Sequence, residues 1–228
     1  MKIVVIARTL NEEINVDRFC NCYQWADKIL IADGGSSDDT VSKSRKWNKV
    51  VVQDFSVRVT LSDGFFYNPR GEHVNFLIDW AKDEQADWII FDDIDCVPSL
   101  DLQLHARNLI DSLCESYIFA YLMFVLGQDK WFPNMNRAGQ SLWAWQPKYN
   151  DVYAKEDSNT LSMIIPQNSI VMLEHPYALL HYFYPDEQTL QRKKAQYVQT
   201  GEVNETYNPM TQFGPIEQLP SWAYWKGN

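Results

Sequence analysis

Apolar and polar residues fall into alternating blocks through the first half of the chain. Residues 2–7 form a short apolar run rich in β-branched side chains, which predicts a buried strand. Asn11 then suits a helix N-cap, with Glu12 and Glu13 in the first turn, where the helix dipole favours anions. Ile14, Phe19, Cys22 and Ala26 give that helix an inner face. Residues 28–32 predict a second strand, Asp33-Gly34-Gly35-Ser36-Ser37 a break, 38–47 a short helix and 50–53 a third strand. Residues 54–70 are loop-like, with Gly64 and Asn68-Pro69, and a helix follows over 71–83. Residues 88–91 predict a fourth strand, Pro98 the first turn of a helix reaching about residue 115, and 117–126 a long strand.

Strands alternating with helices over this stretch predict an α/β fold with a mainly parallel sheet flanked by helices. The second half has a different character. Residues 127–160 are rich in Trp, Asn, Pro and Gly with weak periodicity; 169–173 suits one more strand and 186–199 a helix; the aromatic tail from 202 is irregular.

A length of 228 residues suits one large domain with a small appendage, and a 46% hydrophobic, 14% aromatic composition supplies a sizeable core. The net charge of −10 repels phosphate backbones and argues against nucleic-acid binding. An anionic ligand therefore needs a local cation or a metal. Cys20 and Cys22 are too close for ordinary zinc spacing, and Cys96 and Cys114 are scattered, so buried reduced thiols in a cytoplasmic protein are expected. The N-terminal apolar run is too short for a signal-peptide core, and the longest run, 117–126, is too short to span a bilayer.

Ligands of open parallel sheets bind beyond the carboxyl ends of the strands. Three polar clusters fall at such ends: Arg8-Thr9-Leu10-Asn11-Glu12, Asp33-Gly34-Gly35-Ser36 and Asp92-Asp93-Ile94-Asp95. Asp93 and Asp95, one residue apart after a buried strand, can both reach one hard cation, Mg²⁺ or Mn²⁺, shared with a substrate diphosphate. A solvated loop or helix cap is the plain alternative for so short an acidic run. Asp33 can accept hydrogen bonds from a nucleobase or ribose, and Gly34 and Gly35 let the backbone approach a ligand. A simple turn explains the same residues.

The segments Ala7-Arg8-Thr9-Leu10-Asn11-Glu12-Glu13, Ala26 to Thr40 and Ala86 to Asp95 resemble, in order and spacing, the opening of family 2 glycosyltransferases and the strand leading into their DxD motif. The likeness covers roughly residues 1–98 and is nearest to the bacterial branch that builds surface polysaccharide and lipopolysaccharide core. It implies a Rossmann-like GT-A fold. A GT-A domain would span 1–200, with a nucleotide-sugar half at 1–126 and an acceptor half at 127–200, and a C-terminal extension at 201–228. The implied donor contacts are Thr9, Asn11, Glu12, Asp33, Gly34, Arg70, Asn75, Asp93 and Lys193, the last from the basic cluster Arg192-Lys193-Lys194.

His181 and the aromatic residues after it are similar to a second segment of that branch, which implies that His181 completes a metal site with Asp93 and Asp95. An imidazole ligand favours Mn²⁺ over Mg²⁺. The chain departs from the pattern at Gly34, at Cys96, where an acid is common, and at Val74, where a basic residue usually precedes Asn75; Arg70 or His73 could substitute.

The implied reaction is transfer of a sugar, with inversion, from a nucleotide-sugar, UDP-sugar favoured, to a saccharide or glycolipid hydroxyl. Peripheral contact with the inner face of the membrane is left open. A carboxylate must take the acceptor's proton; Asp151, Glu156 and Asp157 are the candidates, with Asp151 preferred because it most closely follows Trp143-Ala144-Trp145-Gln146-Pro147. Those tryptophans could face a sugar or simply pack. Two rivals remain. One is a haloacid-dehalogenase-type phosphatase using Asp93 as nucleophile with Asp95. The other is a non-catalytic sugar-nucleotide or glycan binder.

Overall fold

The computed structural model describes residues 1–60, 66–112, 117–126, 130–131, 141–148, 152–157, 160–165, 170–184 and 217–218. The first half runs β1 (Ile3–Thr9), α1 (Val16–Cys22), β2 (Lys28–Asp33), α2 (Thr40–Ser44), β3 (Val50–Asp54), β4 (Val59–Thr60), β5 (Phe66–Tyr67), α3 (Arg70–Asp83) and β6 (Trp88–Phe91). It continues through β7 (Cys96–Pro98), α4 (Leu100–Ser112) and β8 (Tyr117–Leu126). The second half contributes β9 (Lys130–Trp131), β10 (Ser141–Trp145), β11 (Tyr153–Asp157), β12 (Thr160–Ile164), β13 (Ile170–Met172), β14 (Ala178–Tyr184) and β15 (Glu217–Gln218).

The central sheet has the order β15-β9-β8-β10-β6-β1-β2-β3. Strands β3, β2, β1 and β6 are mutually parallel, as the strand–helix alternation predicts. Side chains of β1 and β2 sort by the two-residue period of a strand. Ile3, Val5, Ala7, Ile29 and Ile31 face one way and pack with Phe19 and Tyr23 near α1 and with Leu102, Ala106 and Ile110 of α4. Val4, Ile6, Leu30 and Ala32 face the other way, against Val74, Leu77 and Ile78 of α3. Burial on both faces is why these strands read as continuous apolar runs.

The structure differs from the sequence expectations in three informative places. Asn11 does not cap a helix: it has a positive φ of 55° and α1 starts only at Val16. The polar groups of residues 11–13 bond the β2–α2 loop instead. Asn11 N donates to Ser36 Oγ at 2.8 Å, Ser37 N donates to Asn11 Oδ1 at 2.8 Å, and Glu12 N donates to Thr40 Oγ1 at 2.8 Å. Pro98 does not open α4 but ends β7, because its strand pairs with β14 through Leu179. Ser99 then joins the two elements: its Oγ accepts from Ala178 N at 3.2 Å and donates to Pro176 O at 2.9 Å.

The third difference is β10. The weakly periodic stretch 127–160 holds a strand that the sequence did not signal, inserted antiparallel between β6 and β8. Trp143 and Trp145 are fully buried and enter opposite core faces, so they pack rather than offering rings to a sugar.

Asn75 pins the β11–β12 hairpin onto α3. Its Nδ2 donates to Ala154 O at 2.9 Å, and its Oδ1 accepts from Ala154 N at 2.7 Å. This side chain thus bonds a strand as a peptide group would. Asn75→Ala strands both backbone groups of Ala154, and leaving a buried polar group unsatisfied costs about 1–3 kcal/mol. Urea unfolding is expected to show a loss of that size, with Asn75→Asp recovering part of it through the Ala154 N–H.

Candidate functional site

The carboxyl ends of β1, β2 and β6 lie side by side, since Thr9 is paired with Asp33 and Ile6 with Phe91. That register brings the first two polar clusters together. Gly34 N donates to Thr9 O at 2.8 Å across the strand ends. Thr9 is buried, and its Oγ1 has no hydrogen-bond partner among the described residues. Glu12 Oε2 accepts from Asn15 Nδ2 at 2.7 Å.

Asp33 organises the turn that follows it. Oδ2 accepts from Gly35 N at 2.9 Å and Ser36 N at 2.8 Å, and Oδ1 accepts from Ser36 Oγ at 2.5 Å. The turn explanation of this segment therefore describes what the carboxylate does in the structure. The two glycines are needed there for close approach. A Cβ on Gly34 would lie 2.0 Å from Asn68 Oδ1, and one on Gly35, at φ 97°, would lie 1.9 Å from Arg58 Nη2. Arg58 sets a guanidinium against the Gly-Gly turn, a cation at the sheet edge that the sequence did not single out.

The acidic segment after β6 distributes its carboxylates to different partners. Asp92 is buried and accepts from Tyr23 Oη at 2.6 Å, while Trp143 Nε1 donates to that hydroxyl at 3.4 Å. Burial pushes the Asp92 carboxyl well above the usual range; the Tyr23 hydroxyl opposes this and the Asp93 and Asp95 charges add to it. Asp93 is held bidentately by Arg8, Nε to Oδ1 at 2.7 Å and Nη2 to Oδ2 at 3.1 Å. Asp95 lies against His181, with Oδ2 to Nε2 at 3.2 Å.

The two arginines beside these acids were not given roles from sequence. Arg18 lies on α1, 3.8 Å from the centre of the Tyr182 ring. Burial lowers its pKa, and the charges of Tyr182, Cys22 and Asp95 oppose that shift. Their signal was only positional: Arg8 sits at a strand's carboxyl end, and Arg18 is the one cation of α1.

His181 reaches the site through β14, which lies between β7 and β8. It is the antiparallel partner of Cys96, and Tyr182 N donates to Asp95 O at 2.7 Å. One ligand atom each from Asp95, Cys96 and His181 lies within 4.8 Å of the others. A carboxylate oxygen, a thiol sulfur and an imidazole nitrogen form a donor set that fits a divalent transition metal. Of the expected trio Asp93, Asp95 and His181, the last two fall in this group. Asp93 is drawn off by Arg8, and Cys96 takes the third place in the group.

Of the other expected contacts, Arg70 begins α3 and is half-buried. Asn75 is committed to Ala154. His73, a substitute basic contact, faces inward: Nε2 donates to Ala32 O at 2.9 Å and the ring stacks on Phe55 at 4.2 Å. Glu156 and Asp157 lie in β11, whereas Asp151 and Lys193 fall outside the described residues.

No protein-family model matches this sequence, and no curated protein matches it. Solved structures do. Over 92% of the chain the fold matches the crystal structure of S. aureus TarS, with a TM-score of 0.54 and 14% identity. The S. aureus TarS 1–349 fragment in complex with UDP matches over the same share, at a TM-score of 0.50 and 15% identity. The chain spans 41% of the length of TarS and 68% of that fragment. The architecture, a mainly parallel α/β sheet flanked by helices, is that of the GT-A glycosyltransferases.

The inward His73 makes a testable contribution to stability. Burial pushes its pKa down to about 4, only partly offset by the bond to Ala32. An unfolded His titrates near its ordinary value, about 6.5. Between the two values the unfolded chain binds more protons, so stability is full above the higher value and is lost as pH falls through the window. The loss is expected to reach about 3 kcal/mol. Urea unfolding of the wild type and His73→Gln from about pH 7 to about pH 4 is expected to show the difference between the proteins shifting by that amount.

Proposed function

We propose that this chain is a metal-dependent inverting glycosyltransferase of family 2, related to the bacterial polysaccharide and lipopolysaccharide-core branch. It moves a sugar from a nucleotide-sugar, a UDP-sugar by preference, to a hydroxyl of a saccharide or glycolipid. The observation that carries this reading is the cluster of Asp95, Cys96 and His181 at the carboxyl edge of a GT-A-type sheet, beside the Arg8–Asp93 pair. The UDP bound in the TarS fragment supports the donor class. Residues 1–126 would hold the donor, 127–200 the acceptor, and 201–228 form an extension. No helix among the described residues is long and apolar enough to cross a membrane; the proposed setting is the cytoplasm, with peripheral access to a lipid-linked acceptor.

The chain's own residues divide the work. Thr9, Asn11, Glu12, Asp33 and Gly34 line the edge where the nucleotide would lie, and the turn held by Asp33 keeps the backbone low enough for close approach. Asp95 and His181 would hold the metal, Mn²⁺ or Mg²⁺, which when bound supplies a Lewis acid for the charge that grows on the departing diphosphate. Arg8 holds Asp93 in one orientation. Arg58, with Arg70 and Lys193 as further candidates, would meet the diphosphate. A base from the segment 151–157, Asp151 by preference, takes the acceptor's proton as its oxygen attacks the anomeric carbon from the face opposite the leaving group.

The Arg8 clamp speaks against the phosphatase alternative. A nucleophilic Asp93 would need a free carboxylate oxygen, and both are engaged by one guanidinium.

A panel of nucleoside diphosphates with and without Mn²⁺ tests the reading. UDP at a hundredfold excess over its Kd is expected to raise the melting temperature by about 5 °C or more, and to need the cation. Asp95→Ala is expected to abolish the cation-linked part and to lower UDP-sugar hydrolysis or transfer by about 10²–10³-fold, the scale of losing one electrostatic contribution to a transition state. Absence of both base preference and cation linkage in the wild type would sink the proposal.

A further inference from the structure

We infer that Cys96 is a protein ligand of the cation site, in the place expected for Asp93, and that the site is consequently tuned to a thiophilic divalent ion of the zinc or cobalt type. This rests on the metal-dependent reading above and goes beyond it in naming the sulfur donor and the class of ion.

Backbone register supplies the first argument. His181 and Cys96 are direct partners across the antiparallel β7–β14 pair. Directly opposed residues put their side chains on the same face, with Cβ atoms about 5 Å apart. The imidazole and the thiol are therefore brought together by strand pairing, not by a chance loop conformation. Asp95 enters from the preceding residue, its Oδ2 already 3.2 Å from His181 Nε2 and its Oδ1 3.9 Å from Cys96 Sγ.

Charge supplies the second argument. A cation at this edge could draw on two outer carboxylates, Asp93 and Asp95. Both oxygens of Asp93 are taken by Arg8 in a forked ion pair, the strong form of charge-assisted hydrogen bond. Releasing Asp93 would cost the half-buried Arg8 guanidinium this forked pair. Cys96, buried at 5% exposure, stands beside Asp95 and His181. Ligation would send its thiol proton to solvent.

The donor chemistry supplies the third argument. One sulfur, one nitrogen and one oxygen from the protein, with a position left for substrate, is the pattern of a catalytic transition-metal site. Thiolate ligands select zinc-like ions, whereas Mg²⁺ takes oxygen donors. The other described cysteines are poor substitutes. Cys20 and Cys22 are buried in α1, and burial pushes the Cys20 thiol up to about 12 and Cys22 higher still.

Titration of the intact protein with Co²⁺ tests this without an activity assay. Wild type is expected to show a near-ultraviolet thiolate-to-cobalt charge-transfer band, displaced by stoichiometric Zn²⁺. Zinc outranks manganese at almost any such site, so the informative quantity is the change in their affinity ratio when sulfur is removed. Cys96→Ser is expected to abolish the band and to lower Zn²⁺ affinity by about 100-fold, at or beyond the upper end of losses seen for outer-shell partners. Its Mn²⁺ affinity should change less than about threefold, the context scatter of a single contact. Circular dichroism checks that the variant is folded; if it is not, the wild-type band and its displacement decide alone. Co²⁺ binding without a charge-transfer band, or an unchanged Zn²⁺-to-Mn²⁺ ratio in Cys96→Ser, overturns the inference and leaves the metal-dependent glycosyltransferase standing. Failure of wild type to bind any divalent ion, with or without UDP, overturns both.

Discussion

Three carboxylates, Asp92, Asp93 and Asp95, crowd the end of one buried strand, and the segment is held where it is by the polar side chains that meet them. Each finds a different partner, and each partner belongs to a different element. Asp92 meets Tyr23 after α1, Asp93 meets Arg8 of β1, and Asp95 meets His181 of β14. The acidic segment therefore ties the amino-terminal half of the sheet to a strand that arrives more than eighty residues later in the chain. Truncating one partner would leave a charge in a partly desolvated site, which costs more than the pair itself contributes.

The same crowding is met differently by each acid. Asp92 answers it by the bond from the Tyr23 hydroxyl, while burial and its acidic neighbours raise its pKa. Asp93 answers it by a forked ion pair. Asp95 lies against an imidazole, a side chain able to ligate a metal. A divalent ion placed there would relieve repulsion among the acids and would meet an oxygen, a nitrogen and a sulfur at once. Such a cation would offset locally the negative charge that the chain carries as a whole.

The edge at the ends of β1 and β2 is held by bonds between loops. Residues 11–13 and 33–40 exchange backbone and side-chain hydrogen bonds between two loops, so neither loop is held by its own helix alone. This is also why α1 begins late. The polar residues that a helix start would use are bonded to the neighbouring loop, an instance of local side-chain bonds competing with helix formation.

Much of the frame was legible along the chain. Apolar runs of the length of β1, β2 and β6, separated by amphipathic stretches, leave few options other than parallel strands with crossovers, because only that arrangement buries both strand faces. The acidic run after β6 was legible for the same reason: a buried strand can deliver polar groups only at its end. Other features depended on contacts that periodicity does not encode. Trp143 and Trp145 read equally as sugar platforms or core until β10 was seen between β6 and β8. Asn75 read as a ligand contact, though its amide is what fastens Ala154. Which side chains gather around His181 was decided by two long-range facts, the Arg8 fork on Asp93 and the β7–β14 register that sets Cys96 opposite His181. Sequence determines which residue types stand at each strand end, since that is a local matter of burial period; which of them share a partner is decided only when distant strands pair, since a side chain's neighbours across a sheet are fixed by register and not by proximity along the chain.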